Sequence, residues 1–241
     1  MAGDSGEEGV RLNKFLSEAG AASRRGSDRM IGEGRVTIDG RTAVLGDKVF
    51  PGNMVCVDGK EVERVKEDII LAFYKPAGIT STSDPNDEDN VIDFIGYPKR
   101  IFSIGRLDKD SEGLLLMTNN GDLADRIMRS KNEHEKEYIV RVNKNITDEF
   151  ISKMSGGVLL DDGRLTKRCF VETLGPREFR IILKQGLNRQ IRRMCEQLGY
   201  EVKNLKRTRV VNITLGDLKE GRYRDISKKE REELYEHLGL R

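Results

Sequence analysis

The sequence has no tryptophan, only two histidines and only three cysteines, Cys56, Cys169 and Cys195. Three cysteines far apart in the chain fit neither a disulfide framework nor a zinc knuckle, so we expect reduced thiols in a cytoplasmic protein. His134 and His237 have no cysteine or acid at metal-ligand spacing, which predicts no metal site. No apolar run approaches the roughly 18 residues that a membrane span needs.

The first nine residues are acidic and glycine-rich, and they contain no apolar segment. This composition predicts a disordered tail over residues 1–9 and no signal peptide. Helical spacing of Leu12, Phe15 and Leu16 follows, with Ser23 as the N-cap of a second helix. Hairpin turns are predicted at residues 39–40 and 58–59, both Asp-Gly. These elements predict a small domain over residues 10–60.

The charged residues 61–68 lack an apolar run and predict a linker, after which a larger domain spans residues 69–241. Apolar or alternating stretches predict strands at 69–74, 114–117, 138–142 and 179–183, and Asn188 is the predicted cap of a helix ending near Leu198. Strands and helices mix without a regular βαβ period. The fold class is therefore predicted as α+β, with a mixed, mostly antiparallel sheet flanked by helices.

Charge is almost balanced over the whole chain, with 43 Lys and Arg against 41 Asp and Glu. The basic residues nevertheless cluster in two regions, which indicates contact with phosphates, although an ordinary solvated surface gives the same pattern. The candidate RNA-binding residues in these clusters are Arg11, Lys14, Arg24, Arg25, Arg29, Arg189, Arg193, Arg207 and Arg209.

A charged loop, Gly-Arg-Leu-Asp at residues 105–108 with a further glycine at 113, precedes a predicted buried strand. Loops at strand ends often carry active-site groups, but by composition alone a solvated turn is the commoner case. Three other segments accompany it: Lys-Pro-Ala-Gly at 75–78, Glu-Lys-Glu-Tyr at 135–138, and Gln-Gly-Leu-Asn-Arg-Gln-Ile-Arg-Arg-Met at 185–194.

Two family resemblances follow from these motifs. Residues 11–16, 22–25 and 34–40 resemble the S4 RNA-binding domain, which implies a basic helical face on a small sheet that grips structured RNA. The four segments of the larger domain resemble the pseudouridine synthases of the RsuA type. Residues 108–113, 188–195 and 200–209 are most similar to the RluF subgroup, which acts on large-subunit ribosomal RNA.

The resemblance implies a role for each matching residue. Asp108 matches the essential aspartate, which acts as nucleophile or as base, and Arg192 matches its salt-bridge partner. Tyr138 matches the residue that packs on the uracil ring, and Ile191 matches the opposite wall. Arg106 matches the residue that enters the RNA stack when the base leaves, and Lys75 is assigned to scaffold or electrostatic support of the substrate site.

The implied reaction is the isomerisation of uridine to pseudouridine in ribosomal RNA by base flipping. Nothing is oxidised or added, so the resemblance implies no cofactor and no metal. The implied partner is a stem-loop of 23S ribosomal RNA, bound by a monomer without membrane contact. A non-catalytic ribosome assembly factor that kept the fold is the main alternative. A glycoside hydrolase fits less well, because that chemistry usually needs two carboxylates.

Overall fold

The computed structural model describes residues 9–65, 67–129 and 133–240. The chain divides into two compact units, one within residues 1–68 and one within 69–241. The predicted disordered tail lies, except for Gly9, outside the described residues. Among the described residues, no helix is both long and apolar enough to span a bilayer.

The smaller unit packs two helices against short strands around a core that includes Leu12, Leu16 and Val36. Its sheet has the strand order β3-β2-β5-β6, and β1 pairs separately with β4. Its elements are β1 (Val10–Arg11), α1 (Leu12–Glu18), α2 (Arg24–Gly32), β2 (Val36–Ile38), β3 (Arg41–Thr42), β4 (Lys48–Val49), β5 (Val55–Val57) and β6 (Lys60–Glu61).

Local sequence accounts for the boundaries of these elements. The Ser23 side chain accepts a hydrogen bond from the backbone N–H of Gly26, as predicted for the cap of α2. The two predicted Asp-Gly turns are also confirmed, because each connects paired antiparallel strands. Asp39 has φ 49° and Gly40 has φ 81°, and two-residue hairpin turns of type I′ require a positive φ at both central positions.

The larger unit is built on one nine-stranded sheet with helices packed against it. Its elements are β7 (Ile70–Lys75), α3 (Val91–Ile95), β8 (Phe102–Ile104), β9 (Glu112–Thr118), α4 (Gly121–Met128), β10 (Lys136–Val142), α5 (Asp148–Gly156), β11 (Phe170–Gly175), β12 (Glu178–Leu183), α6 (Gln190–Gln197), β13 (Val202–Val210), β14 (Ile213–Thr214), β15 (Tyr223–Asp225) and α7 (Lys228–His237).

The strand order is β11-β12-β10-β13-β9-β7-β15, with β14 beside β13 and β8 beside β9. Strands β13 and β9 pair in parallel, and the other pairs of this sheet in the described part of the chain are antiparallel. The predicted α+β class with a mixed, mostly antiparallel sheet is confirmed.

The parallel pair β9–β13 depends on Gly113, which lies opposite Arg207. Gly113 has φ +107°, and a Cβ placed there would lie 2.3 Å from the carbonyl oxygen of Arg207 and 2.6 Å from its nitrogen. Since only glycine permits this approach, the glycine of the charged motif joins the two halves of the sheet next to Asp108.

Candidate active site

A cavity of about 390 Å³ lies where the loop before β9, the adjacent strands β10 and β13, and the start of α6 meet. Four residues predicted for the catalytic or substrate site, Arg106, Asp108, Tyr138 and Ile191, line it together, and so do Arg189 and Arg207 from the predicted RNA-binding set. The full lining consists of residues 105–108, Ser111, Met128, Lys136, Tyr138, Leu183, residues 185–191, Leu205 and Arg207.

Asp108 presents its carboxylate to this cavity with 30% of its side chain exposed. The Nη1 atom of Arg189 lies 3.7 Å from the Oδ2 atom of Asp108. Asp108 is the one carboxylate in the lining of this cavity among the described residues. A single anion beside a guanidinium is suited to nucleophilic or base chemistry on a neutral substrate.

Hydrogen bonds to backbone atoms hold the loop that carries Asp108. The Oγ atom of Ser81 donates to the carbonyl of Leu107 at 2.9 Å and accepts from the N–H of Leu107 at 3.1 Å. The N–H of Ser111 donates to the carbonyl of Asp108 at 3.0 Å. These bonds fix the backbone on both sides of the carboxylate without using the carboxylate itself.

The predicted salt bridge between Arg192 and Asp108 is wrong. The Nη2 atom of Arg192 donates to the carbonyl of Asp110 at 3.0 Å and to the Oγ atom of Ser111 at 3.1 Å. It also lies 3.3 Å from the carboxylate of Asp110. Arg192 is only 8% exposed and does not line the cavity. Its side chain is buried under the turn after Asp108, so it supports that turn.

Arg189 takes the place beside Asp108 that was predicted for Arg192. Its two terminal nitrogens also donate to the two carboxylate oxygens of Asp110, at 3.2 Å and 3.1 Å. Burial raises the pKa of Asp110, but the hydrogen bond from Arg189 and the charge of Arg192 outweigh burial and lower it. Asp110 therefore stays ionised and holds the guanidinium of Arg189 next to Asp108.

The start of α6 explains why Arg189 faces the cavity. The predicted cap, Asn188, is wrong by one residue, since Arg189 is the N-cap, with φ 46° and ψ 34°. The Oε1 atom of Gln190 accepts from the N–H of Leu187 at 3.0 Å, which closes the turn before the helix. Arg189, with this left-handed backbone, lines the cavity, whereas Arg192 in the first turn of the helix is buried.

Two side chains shape the walls of the cavity. Tyr138 is partly buried and packs against two of the apolar core clusters of the larger unit. Ile191 is 4% exposed and belongs to the core next to α6. Arg106 is exposed at the cavity lining. An aromatic ring, an aliphatic side chain and an exposed guanidinium together can accept a flat heterocycle.

Lys75 is fully buried and does not line the cavity. Its Nζ atom donates to the carbonyls of Pro76 at 2.8 Å and Ile79 at 2.7 Å. Burial lowers its pKa to about 8, against the opposing charges of Asp110 and Asp108. In this position Lys75 supports the segment after β7 and does not touch a ligand in the cavity.

Lys75 should give the fold a measurable pH dependence. Its folded-state pKa of about 8 lies below the ordinary value of 10.5. Between these pH values the unfolded chain therefore binds more protons than the folded chain, and the free energy of unfolding increases as the pH rises, because the cost of burying the charge disappears. The free energy of unfolding of the wild type, relative to Lys75→Met, should therefore increase by about 2 kcal/mol between pH 7.5 and pH 10. Urea unfolding at both pH values measures this change, and a constant difference would contradict the burial of a charged lysine.

The predicted RNA-binding residues between positions 193 and 209 are more buried or more often paired with acids than expected for an open RNA-binding surface. Arg207 is 3% exposed and lies inside the cavity lining, which corrects its assignment to a surface. Arg193 bonds to Asp161 at 2.6 Å and lies 2.7 Å from Asp162. Arg209 lies 2.9 Å from Glu135. Arg193 and Arg209 are therefore already paired with acids, and Arg207 is buried.

The basic residues of the smaller unit are arranged differently. Arg11, Arg24, Arg25 and Arg29 are exposed, and within residues 9–65 none of them forms an ion pair. Lys14 lies 3.7 Å from Glu18, one helical turn away. The exposed guanidiniums on and beside α1 and α2 leave positive charge available to a ligand.

Three residues of the site were not selected from the sequence. Ser81 gave no signal, because an isolated serine in a polar segment is unremarkable. Asp110 stands in the charged loop but was not distinguished from its neighbours. Lys136 was detectable, since alternation along a strand places it on the same face as Tyr138.

Comparisons with known proteins agree with this geometry. A family model described as RNA pseudouridylate synthase matches residues 69–197, and an S4 domain model matches residues 10–55. The dual-specificity RNA pseudouridine synthase RluF of Escherichia coli (strain K12) is 51% identical over 231 residues, which cover 95% of this chain and 79% of that protein. The ribosomal large subunit pseudouridine synthase B of Bacillus subtilis (strain 168) is 36% identical, over 91% of this chain and 93% of that protein.

A solved structure described as a pseudouridylate synthase shares the fold. It superposes with a TM-score of 0.70 at 27% identity, and covers 93% of this chain and 99% of its own. The chain therefore belongs to the RNA pseudouridylate synthase family and is a pseudouridine synthase with an N-terminal S4 domain.

Proposed function

We propose that this enzyme isomerises a specific uridine in a stem-loop of 23S ribosomal RNA, with Asp108 as the catalytic carboxylate. The observation that carries the proposal is that Asp108, Tyr138 and Ile191 line one cavity. We also propose that a monomer is the working unit. The name of the relative from Bacillus subtilis, a ribosomal large subunit pseudouridine synthase, supports a ribosomal substrate.

The reaction moves the uracil from an N1 to a C5 linkage. The C1′–N1 bond breaks, and its electron pair leaves with the uracil. Asp108 either attacks C1′ or removes the proton from C2′, and both routes use an ionised carboxylate. The uracil then turns and C5 bonds to C1′, which releases the carboxylate in the first route or returns the proton to C2′ in the second. The proton of C5 is lost, and N1 gains a proton. Tyr138 and Ile191 hold the ring while it turns.

The uridine must leave its helix before it enters the cavity. Extruding a base costs on the order of a few kcal/mol, and less when the base lies in a loop or bulge. Arg106 is exposed beside Asp108, where its guanidinium plane can replace part of the lost stacking. A stem-loop substrate fits both conditions.

The smaller unit is proposed to grip the RNA backbone through Arg24, Arg25 and Arg29. Changing all three to glutamine should weaken binding and reduce the slope of log K against log salt by about 2, because each phosphate contact contributes somewhat under 1. Filter binding of a stem-loop transcript over a salt series measures both effects. Arg41→Gln is the matched control, since Arg41 already lies 2.9 Å from Asp47. Equal slopes for the triple variant and the wild type would contradict the proposed contact.

The proposed substrate is tested by mapping pseudouridine in ribosomal RNA from a strain that lacks this gene. We expect one or more sites of 23S RNA to lose the modification and to regain it when the wild-type gene is supplied. The Asp108→Asn gene should not restore it. Restoration of a growth or assembly defect by Asp108→Asn, with no modification lost in the deletion strain, would favour a non-catalytic assembly factor.

A further inference from the structure

Two cations, Lys136 and Arg207, line the cavity and have no anionic partner in the described part of the chain. Arg207 is 3% exposed, and its Nη2 atom has no hydrogen-bond partner there. Its Nε atom donates to the carbonyl of Leu114 at 2.7 Å, so one side of the guanidinium is anchored. The Nζ atom of Lys136 has a long contact of 3.4 Å with the carbonyl of His134.

A register shift between β10 and β13 places these two side chains on the cavity. Glu137 lies opposite Arg209, whereas Tyr138 lies opposite Arg207, so Thr208 is the extra residue of a bulge. Bulges re-aim side chains along a strand. Arg209 is thereby directed to the acids Glu135 and Glu137, and Arg207 joins Tyr138 at the cavity.

The positive charge at this end of the cavity is not matched in the enzyme alone. Arg189 is already bonded to Asp110 and lies beside Asp108. Burial and the charge of Arg207 both lower the pKa of Lys136. Two cations that disfavour each other in a partly buried cavity are stabilised when a ligand brings or develops negative charge.

The proposed reaction develops such a charge on the uracil. When the C1′–N1 bond breaks, the electron pair stays on N1 and is shared with O2 and O4 of the ring. We propose, on the basis of the function proposed above, that Lys136 and Arg207 bind these oxygens and stabilise the departing uracil anion. Asp108 acts on the sugar at the same time, so the two ends of the breaking bond meet groups of opposite charge.

The test compares uridine with 5-fluorouridine at the target position of a stem-loop transcript. The fluorine withdraws electrons, so the fluorinated ring leaves more readily and needs less stabilisation. Under single-turnover conditions with saturating enzyme, Lys136→Met should slow the loss of uridine by about 100-fold. The same variant should slow the loss of 5-fluorouridine by less than about 10-fold, with both losses measured by liquid chromatography of nucleosides from the digested transcript.

Matched variants separate this role from folding and from RNA binding. Lys203→Met removes an exposed lysine of β13 that pairs with Glu201 and should leave both rates unchanged. Lys136→Arg should recover most of the rate with uridine. Arg207→Lys keeps a cation but removes Nη2. It should likewise slow the loss of uridine more than the loss of 5-fluorouridine.

Three outcomes would overturn the inference that Lys136 and Arg207 stabilise the departing uracil. Equal slowing of both substrates would indicate a structural role, and weaker RNA binding with an unchanged rate would indicate contact with a phosphate. A full rate with uridine in both the Lys136→Met and Arg207→Lys variants would remove these residues from the reaction. A wild-type enzyme that consumes neither nucleoside would instead overturn the proposed substrate, which distinguishes the two failures.

Discussion

Changing Asp108 to asparagine is expected to reduce pseudouridine formation by about 1,000-fold or more while RNA binding persists. The amide keeps the size of the side chain but loses the charge that both routes for the reaction require. The loop should keep its shape, because Ser81 and Ser111 hold it through backbone atoms. Liquid chromatography of the digested transcript separates pseudouridine from uridine, which has the same mass, and filter binding measures the affinity.

Asp110→Asn is the matched control for this prediction. Asp110 lies in the same loop and carries the same functional group, but it bonds to Arg189 and does not line the cavity. Its loss should loosen Arg189 and reduce the rate by a smaller factor, about 10-fold. If Asp108→Asn kept a rate close to that of Asp110→Asn, Asp108 would not be the catalytic carboxylate.

Changing Gly113 to alanine is expected to destabilise the enzyme by about 3 kcal/mol or more. The new Cβ would need to lie 2.3 Å from the carbonyl oxygen of Arg207, at a φ of +107° that alanine rarely adopts. Relief of this clash must separate β9 from β13, and this moves Arg207 away from the Asp108 loop. Urea unfolding measures the stability, and the transcript assay should show reduced activity even where the variant is folded.

Gly163→Ala separates backbone strain from the clash. Gly163 has a similar positive φ of +79°, but a Cβ there would meet no atom within 4 Å. This control should cost about 1 kcal/mol, the usual penalty for alanine at a left-handed position. If both variants lost the same stability, the close approach of β9 and β13 would not be the reason for a glycine at 113.

Local features of the fold were predictable because neighbouring residues determine them. The Asp-Gly turns, the Ser23 cap and the capping box of Ser227 and Glu230 each need residues only a few positions apart. The residues that meet in the cavity were predictable from their motifs, since Asp108 and Tyr138 lie in segments with a family resemblance. The alternation of apolar and polar residues alone does not predict that these segments meet.

The partners of the charged residues were not predictable in the same way. Arg192 was expected to face Asp108, but Arg189, the N-cap of α6, is the arginine that lies beside it. Arg193 and Arg207 lie in a basic stretch that resembled a surface. The environment of Arg193 depends on Asp161, and that of Arg207 on Gly113 and on the pairing of β13 with β10, all distant in sequence. Composition counts such charges but does not show which of them are already bonded.

In the proposed mechanism, an extruded uridine reacts with Asp108 inside the cavity. A crystal structure of the Asp108→Asn variant with its RNA stem-loop tests this placement. We expect the target ring between Tyr138 and Ile191, with the substituted amide side chain at position 108 within about 3.5 Å of C1′ or C2′ of the sugar. A target uridine still stacked in the RNA, or bound with its sugar turned away from that side chain, would contradict it.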